Sequence, residues 1–277
     1  MPLGVVPTRS RRGAYDPTGC RGCGRGRSAP GVGVTGDGMQ GTGPVGLAGG
    51  WSLERRTGDA ASLHDAPVEA RRIVRVHAVE RPALVLGSTQ AATDVDDSAA
   101  RRRGVDVVRR RSGGGAVFLA PGAQLWVDVV VPAGDPLHDD DVERASWWVG
   151  DWWSAALASG AGWTAADGHL EVHRSSLGDR SAGRIACFAS VGPGEVVVER
   201  SGAVQKLVGI SQRRTRWAAR FQTVAHTRWD AGDLLGLLDP AVASRVAEPL
   251  RTRVAPAVDG VNAAKRLLDT LLRTLPA

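Results

Sequence analysis

The stretch RRRSGGGAV, residues 109–117, decides how this chain is interpreted, because it places three arginines and three consecutive glycines between two apolar segments. Three adjacent glycines leave the backbone free to adopt positive φ angles and to approach a ligand without an intervening Cβ. Successive amides in such a turn can point toward one anion, and flanking guanidinium groups can bind a phosphate or carboxylate through paired hydrogen bonds. The stretch therefore predicts a phosphate or acyl-anion site, although a plain hairpin turn would use the same glycines.

Known nucleotide-binding loops do not account for this stretch. A Walker A loop would end in Gly-Lys-Ser or Gly-Lys-Thr, which is missing, and a dinucleotide fingerprint would open a helix, whereas strand-like residues follow here. Lys206 opens a second distinctive stretch, KLVGISQRR at 206–214, in a chain whose 35 basic residues include only one other lysine, Lys265. A compact ammonium at that point can neutralise a carboxylate as it becomes activated, or it can form a surface salt bridge.

Short apolar runs separated by turn residues predict adjacent strands without regular strand–helix alternation, which is typical of an α+β domain. The tryptophan pairs at 147–148 and 152–153 could form a stacking platform, but their helical spacing favours the core. An acidic run at 139–141 precedes their predicted helix, which suits the helix dipole. Strands are predicted at 72–79, 83–86, 105–108, 116–119, 124–131, 195–199, 207–210 and 220–226, and helices within 58–72 (ended by Pro67), over 142–159 and over 261–275.

The composition predicts one globular domain with a charged tail. The chain has 277 residues, 43% of them hydrophobic, and no run of eighteen apolar residues, so we expect a cytoplasmic protein with a large core and no membrane partner. Residues 1–50 carry six arginines and two aspartates, which is +4 of the net charge of +6. We therefore expect a disordered Gly/Arg-rich segment at 1–50, a folded domain at 51–277, and no nucleic-acid partner. Cys20 and Cys23 lack the partners of a zinc site, so no metal site is predicted.

The two motifs together resemble the paired signature of the lipoate-protein ligase and octanoyltransferase family, with RRxSGGGAV at 109–117 and KLVGxSQxR at 206–214. The strand and turn at 85–90 add to a resemblance that covers roughly residues 51–230. It implies that 51–277 is a catalytic domain with the fold of biotin and lipoate protein ligases, a mixed, largely antiparallel sheet flanked by helices. It also implies transfer of a lipoyl or octanoyl group to a lysine of a lipoyl carrier domain. The carrier would be a domain of a 2-oxoacid dehydrogenase or the glycine-cleavage H protein.

The resemblance assigns roles to particular residues. Arg110 and Ser112 would line the acyl-adenylate pocket, and Lys206 would contact the acyl carboxyl oxygen. Apolar walls from neighbouring strands would bury the eight-carbon chain, at about 0.8 kcal/mol for each CH₂. The backbone around the ligand would come from Gly113, Gly114, Gly115, Ala116, Val117 and Gly209.

The family has two mechanistic branches, and the sequence resembles both. Ligases activate free lipoate or octanoate with ATP and Mg²⁺ to an acyl-adenylate, and this is the leading interpretation. Transferases pass octanoate from acyl carrier protein through a cysteine thioester, and Cys187-Phe188 ahead of the strand at 195–199 resembles their cysteine segment. Cys187 is therefore a second catalytic candidate, with a buried, inert thiol as the alternative. A non-catalytic module that binds lipoate, biotin or an adenylate is the remaining hypothesis.

Two further sets of residues are ambiguous in the sequence. His169 and His226 are candidate proton acceptors for the incoming lysine amine. A basic run beyond Lys206 could receive the acidic face of a carrier protein, or it could keep a strand edge from pairing with other sheets. This run consists of Arg213, Arg214, Arg216 and Arg220.

Overall fold

The computed structural model describes residues 44–277, which form an α+β domain. Its strands are β1 Val45–Gly46, β2 Ser52–Gly58, β3 Ile73–Val79, β4 Ala83–Leu86, β5 Asp106–Arg109, β6 Val117–Leu119, β7 Gln124–Pro132, β8 His169–Val172, β9 Val196–Arg200, β10 Ala203–Arg214 and β11 Ala218–His226. Its α-helices are α1 Ala60–His64, α2 Asp97–Arg102, α3 Trp147–Gly160, α4 Arg180–Ile185, α5 Ala231–Leu235, α6 Pro240–Ser244, α7 Ala247–Thr252 and α8 Gly260–Arg273.

Two sheets make up the β-structure of the described chain. The larger has eight strands in the order β1-β2-β3-β7-β11-β10-β9-β8, and every neighbouring pair is antiparallel except β2 with β3. The smaller has the order β5-β4-β6, with β4 parallel to β5 and antiparallel to β6. The predicted fold class, a mixed and largely antiparallel sheet flanked by helices, is confirmed.

Side chains alternate across the central strand β7 and divide the core into two layers. Val127, Val129 and Val131 face the packed pair of helices α3 and α8, whereas Trp126 faces the small sheet and the short helices. Strand β11 pairs with β7 over nine residues, so its inward polar residues share the Trp126 side. The candidate site is built on that side.

Helix α3 begins later than the sequence predicts. The predicted start at Val142 is wrong, because the acidic run ahead of it caps a turn: Asp141 accepts from the backbone amides of Glu143 and Arg144, and the helix starts at Trp147. Trp152 and Trp153 are buried, and their indole nitrogens donate to a backbone carbonyl of α8 and to a β11 hydroxyl. These two tryptophans therefore belong to the core and not to a stacking platform.

A buried charge network lies beside β7. The carboxylate of Asp128 accepts hydrogen bonds from His77 Nε2 (2.8 Å), from Trp126 Nε1 (2.8 Å) and from Arg220. Burial acts to raise the pKa of Asp128, but the charges of Arg220 and His77 outweigh it and hold that pKa well below its usual range. Arg220 also donates to the carbonyls that end α1, including that of His64 (2.8 Å). Arg220 thus fixes α1 to the sheet and cannot belong to a docking surface.

Several elements were not predicted. They include the seven-residue strand β2 and the shorter elements β1, β8, α2, α4 and α5–α7, while the helix predicted within 58–72 shrinks to Ala60–His64. Of the segment predicted to be disordered, residues 44–50 are described, and Val45–Gly46 pairs with β2. Cys20 and Cys23 lie outside the described residues. Among residues 44–277, no helix is both long and apolar enough to cross a membrane.

Candidate functional site

The loop that contains Gly113, Gly114 and Gly115, here called the glycine loop, is held against the segment that carries Cys187. Backbone hydrogen bonds join Ala116 N to Ile185 O (2.9 Å) and Cys187 N to Ala116 O (3.0 Å). A Cβ on Gly115 would lie 2.4 Å from the backbone nitrogen of Ala186, so only glycine permits this approach. The glycine loop and the segment that carries Cys187 are therefore parts of one site.

Arg110 organises the loop from inside. Its guanidinium donates to Gly113 O (2.7 Å) and to Gly115 O (3.0 Å), which fixes the turn around Gly114 at a positive φ of 93°. Burial lowers the pKa of Arg110, while its contact with the Cys187 thiol and the charge of Glu195 act in the opposite direction. A guanidinium remains charged under these conditions. Arg110 is therefore a buried cation inside the loop.

Lys206 is the second buried cation, and it is 1% exposed. Its Nζ lies 2.6 Å from Glu195 Oε2, and it donates to Cys187 O (2.8 Å) and Ser190 O (3.1 Å). The sulfur of Cys187 is 4.0 Å from the same nitrogen. The alternative of a surface salt bridge is wrong, because both members of this ion pair are buried.

The backbone around Lys206 explains how an ammonium comes to be placed inside the protein. Strand β10 changes register with β9 between Lys206 and Val208, which is a β-bulge. At this point the backbone of Lys206 bonds instead to Arg253 O (2.8 Å) and to Ala255 N (3.1 Å). The bulge turns the side chain inward, toward the Cys187 segment.

Cys187 lies where two cavities meet. An inner cavity of about 30 Å³ is mostly apolar and runs between the two sheets, and an outer cleft of about 320 Å³ is lined by Gly113, Gly114, Glu195 and Lys206 among others. Cys187, Ile210 and Ser211 line both. The inner walls come from His64, Val85, Arg110, Val117, Leu119, Trp126, Phe188, Gly209, Gln222 and Val224.

A chain of hydrogen bonds leads from the glycine loop along the inner cavity. Ser112 Oγ lies 3.1 Å from Ser211 Oγ and donates to Gln222 Oε1 (2.8 Å). The Gln222 amide nitrogen lies 2.9 Å from His64 Nδ1. Burial lowers the pKa of His64 to about 3, and the charge of Arg110 adds to that shift, so the imidazole is neutral.

Comparison with protein-family models identifies the family of this chain. A family model described as the lipoyl protein ligase A/B catalytic domain matches residues 59–259. This chain belongs to that family. No curated protein sequence matches the chain. The two motifs of the sequence and the cysteine segment all lie inside the matched range.

Solved structures share the fold of this family member at low identity. An archaeal lipoylation system from Thermoplasma acidophilum, a bi-partite lipoate protein ligase and its E2 lipoyl domain, matches with a TM-score of 0.55 and 18% identity over 80% of this chain and 82% of that chain. A Thermoplasma acidophilum structure with bound lipoic acid gives 0.52 and 18% over 78% and 75%. A lipoate-protein ligase A bound with ATP gives 0.54 and 19% over 82% and 83%. The chain thus has a lipoate-protein ligase-like catalytic fold.

Most residues singled out in the sequence converge on this site. Lys206, Cys187 and Arg110 meet within one cluster, Gly113 and Gly114 line the outer cleft, and Val117 and Gly209 line the inner cavity. Ala116 contributes its backbone to the loop contact. The exception is the histidine pair: His169 is exposed on β8, and His226 is buried behind Phe188, with ring centroids 4.7 Å apart.

Three residues of the site escaped sequence reasoning. Glu195 lies after a Gly-Pro-Gly turn at the start of a buried strand, and a lone carboxylate there was a usable signal. Gln222 alternates with Arg220 on the inward face of β11, which period-two patterning could have indicated. His64 gave no signal, because its place depends on where the short helix α1 docks.

Proposed function

We propose that this chain transfers a lipoyl or octanoyl group to a lysine amine of a lipoyl carrier domain through a thioester on Cys187. One observation carries the proposal: Cys187 lies at the junction of the apolar cavity and the polar cleft, with its sulfur 4.0 Å from Lys206 Nζ and with Arg110 lining the same inner cavity. Buried cations at this junction can stabilise the negative charge that forms on the acyl oxygen during nucleophilic attack. This arrangement is of the kind that supports a cysteine nucleophile.

The reaction has two steps, and each forms one bond to the acyl carbon and breaks one C–S bond. In the first, the Cys187 thiolate attacks the carbonyl carbon of an acyl thioester, a new C–S bond forms, and the donor leaves as a thiolate that takes up a proton. In the second, the lysine amine attacks the Cys187 thioester, a C–N bond forms, the C–S bond breaks, and the proton lost by the amine passes to the departing Cys187 thiolate. Lys206 and Arg110 stabilise the oxyanion of both tetrahedral intermediates.

The acyl chain would enter the inner cavity while the donor and the acceptor lysine use the outer cleft in turn. Val85, Val117 and Leu119 give the inner cavity its apolar wall. The E2 lipoyl domain that accompanies the Thermoplasma acidophilum ligase supports a lipoyl carrier domain as the acceptor. Carrier domains of 2-oxoacid dehydrogenases and the glycine-cleavage H protein are the acceptors we propose, with acyl carrier protein as the donor.

An acyl-adenylate route is the second candidate, and the ATP bound by a structural neighbour favours it. Gly113 has no atom within 4 Å of where its Cβ would be, so the outer cleft could receive a phosphate beside the loop. Mg²⁺ would be held mainly by ATP phosphates and water, and among residues 44–277 no group of three His, Cys, Asp or Glu residues could hold a metal. Against this route, the three protons of Lys206 already face Glu195, Cys187 O and Ser190 O, so one partner would have to yield to the adenylate.

Intact-mass spectrometry separates the two routes. The protein is incubated with a lipoyl domain and either octanoyl-acyl carrier protein, or ATP with octanoate or lipoate. We expect acylation from the carrier thioester without ATP, an acyl adduct on the enzyme that hydroxylamine removes, and loss of both with Cys187→Ala. Acylation that requires ATP and survives Cys187→Ala would replace the thioester route by the adenylate route. Binding of lipoate without transfer from either donor would favour a non-catalytic module.

A further inference from the structure

His64 presents a polar nitrogen in the inner cavity, whose walls are mostly apolar. The residue is more than nine-tenths buried, it lines the inner cavity but not the outer cleft, and its Nε2 has no hydrogen-bond partner. Its ring packs on Trp126, with centroids 4.4 Å apart. A buried donor or acceptor without a partner costs stability, so an unpartnered nitrogen on a residue that lines a cavity is a candidate contact for a ligand.

The neighbours of His64 determine what its Nε2 offers. Ser112 Oγ donates to the Gln222 amide oxygen, and the amide nitrogen therefore points at His64 Nδ1, which accepts. Burial lowers the pKa of His64 to about 3, which keeps the ring neutral. A neutral imidazole that accepts at Nδ1 carries its proton on Nε2. His64 therefore offers one N–H donor to whatever fills the inner cavity.

The location of this donor relates it to the far part of the acyl chain. Cys187 lies at the mouth, where the two cavities meet, and His64 lies only within the inner cavity. At about 30 Å³ that cavity holds no more than two or three water-sized spheres, so an acyl chain must separate its walls. The chain atoms beyond the carbonyl would then lie along Trp126 and His64.

We propose that His64 selects an acyl group with a hydrogen-bond acceptor in its distal part, such as the cyclic disulfide of a lipoyl group, over a plain alkyl chain such as octanoyl. The inference rests on the proposed function, since it assumes that the inner cavity receives the acyl chain. An alkyl chain buries the N–H without a partner, whereas a ring sulfur accepts from it. Gln222 is the positioning residue, because it sets which ring nitrogen carries the proton.

Calorimetric binding of free acids tests the inference without relying on transfer. Lipoic acid is compared with octanoic acid and with the carbocyclic analogue of lipoic acid, in which CH₂ groups replace both sulfurs. We expect lipoic acid to bind about tenfold more tightly than the carbocyclic analogue, a ratio that corresponds to about 1.4 kcal/mol. His64→Leu should bring that ratio to about one, and His64→Gln, which restores an N–H donor, should recover part of it.

A spectroscopic measurement keeps the test valid if a variant fails to fold. In the native protein, the ¹⁵N and ¹H resonances of the His64 Nε2–H group should shift on addition of lipoic acid and shift much less with the carbocyclic analogue. Gln222→Glu, which offers only acceptors to His64, should move the proton to Nδ1 and abolish the preference for sulfur. Equal shifts with both acids, or an unchanged ratio in His64→Leu, would overturn the role of His64.

The outcomes distinguish this inference from the proposed function. If native protein binds all three acids with equal affinity and still transfers an acyl group to the lipoyl domain, only the selection by His64 is wrong. If native protein binds none of the acids and transfers from neither donor, the proposed function itself is wrong, and the inference is overturned with it.

Discussion

The two cavities that meet at Cys187 differ in how they handle polar groups. In the outer cleft, Lys206 and Glu195 form a buried ion pair, and Lys206 Nζ also donates to Cys187 O and Ser190 O. Among the described residues that line the inner cavity, Arg110 is the one that is charged, and the other polar groups include the amide of Gln222, which is linked to Ser112, and the neutral ring of His64. The outer cleft thus holds an ion pair, whereas beyond Arg110 the inner cavity carries neutral dipoles along an apolar wall.

This difference follows from the energetics of burial. A charge removed from water needs an opposite charge and hydrogen bonds, which the bulge at Lys206 and the amides of Gly192 and Ile210 supply around the ion pair. Burying a neutral dipole costs less free energy than burying a charge, so a neutral group can remain without a partner until a ligand binds. The outer cleft is therefore suited to chemistry at the acyl carbonyl, and the inner cavity to recognition of the acyl chain.

Breaking the charge balance of the outer cleft should have the largest effect. Lys206→Met leaves the Glu195 carboxylate buried without a counter-charge, so we expect a loss of about 3–5 kcal/mol in the free energy of unfolding. Acyl transfer should fall by about 10²–10³-fold, because one of two groups that stabilise the oxyanion is gone. Denaturant unfolding and the initial rate of lipoyl-domain acylation measure the two effects.

The double variant Lys206→Met/Glu195→Gln separates stability from catalysis. Removing both charges should recover most of the lost stability, since no unpaired ion remains, while acyl transfer stays at the level of Lys206→Met. Recovery of transfer in the double variant would mean that Lys206 serves only to hold Glu195.

Disrupting the close approach of Gly115 to Ala186, beside Cys187, should have the next largest effect on stability and activity. A Cβ at Gly115 would lie 2.4 Å from Ala186 N and 2.7 Å from Gly183 O, so Gly115→Ala must push the glycine loop away from Cys187. We expect a loss of about 1–3 kcal/mol in unfolding free energy and at least a tenfold drop in thioester formation. Gly113→Ala is the matched control for stability, because nothing lies within 4 Å of its added Cβ. Equal loss of stability in both variants would show that the loop does not depend on this approach.

The sequence predicted the loop better than its surroundings, for a physical reason. RRRSGGGAV and KLVGISQRR are local patterns, and their roles depend on backbone freedom and on one rare lysine that can be read from neighbouring residues. Glu195 and His64 join the candidate site only because the pairing of β9 with β10 and the docking of α1 bring distant parts of the chain together. The start of α3 was misplaced because acidic residues stabilise a capped turn as readily as a helix terminus.

Acidification should destabilise the fold through the two buried histidines His64 and His226. Burial lowers the pKa of both His64 and His226 to about 3, from an ordinary value of 6.5. Below pH 6.5 the unfolded chain therefore binds protons that the folded chain does not, and stability present above that pH is lost as the pH falls toward 3. Between pH 7 and 5.5 we expect a loss of about 1 kcal/mol for each histidine, measured by urea unfolding. His64→Leu should remove its share of this dependence, and an unchanged slope would contradict the assignment of a buried, neutral ring.

The smallest effect should come from outside both cavities, at Arg213. Burial lowers the pKa of Arg213, and the nearby charges of Arg111 and Arg220 add to the shift, so this guanidinium sits among like charges with little compensation. Arg213→Gln should therefore leave the unfolding free energy unchanged or slightly raised. If the basic surface receives an acidic carrier, the same variant should slow acylation a few-fold at low ionic strength, with the difference vanishing at high salt, because such charges act on the encounter rate. Arg266→Gln on α8, an exposed arginine away from the site residues, is the matched control. If both variants change the acylation rate equally and independently of salt, Arg213 belongs to the solvated strand edge. Carrier recognition would then rest on the outer cleft alone.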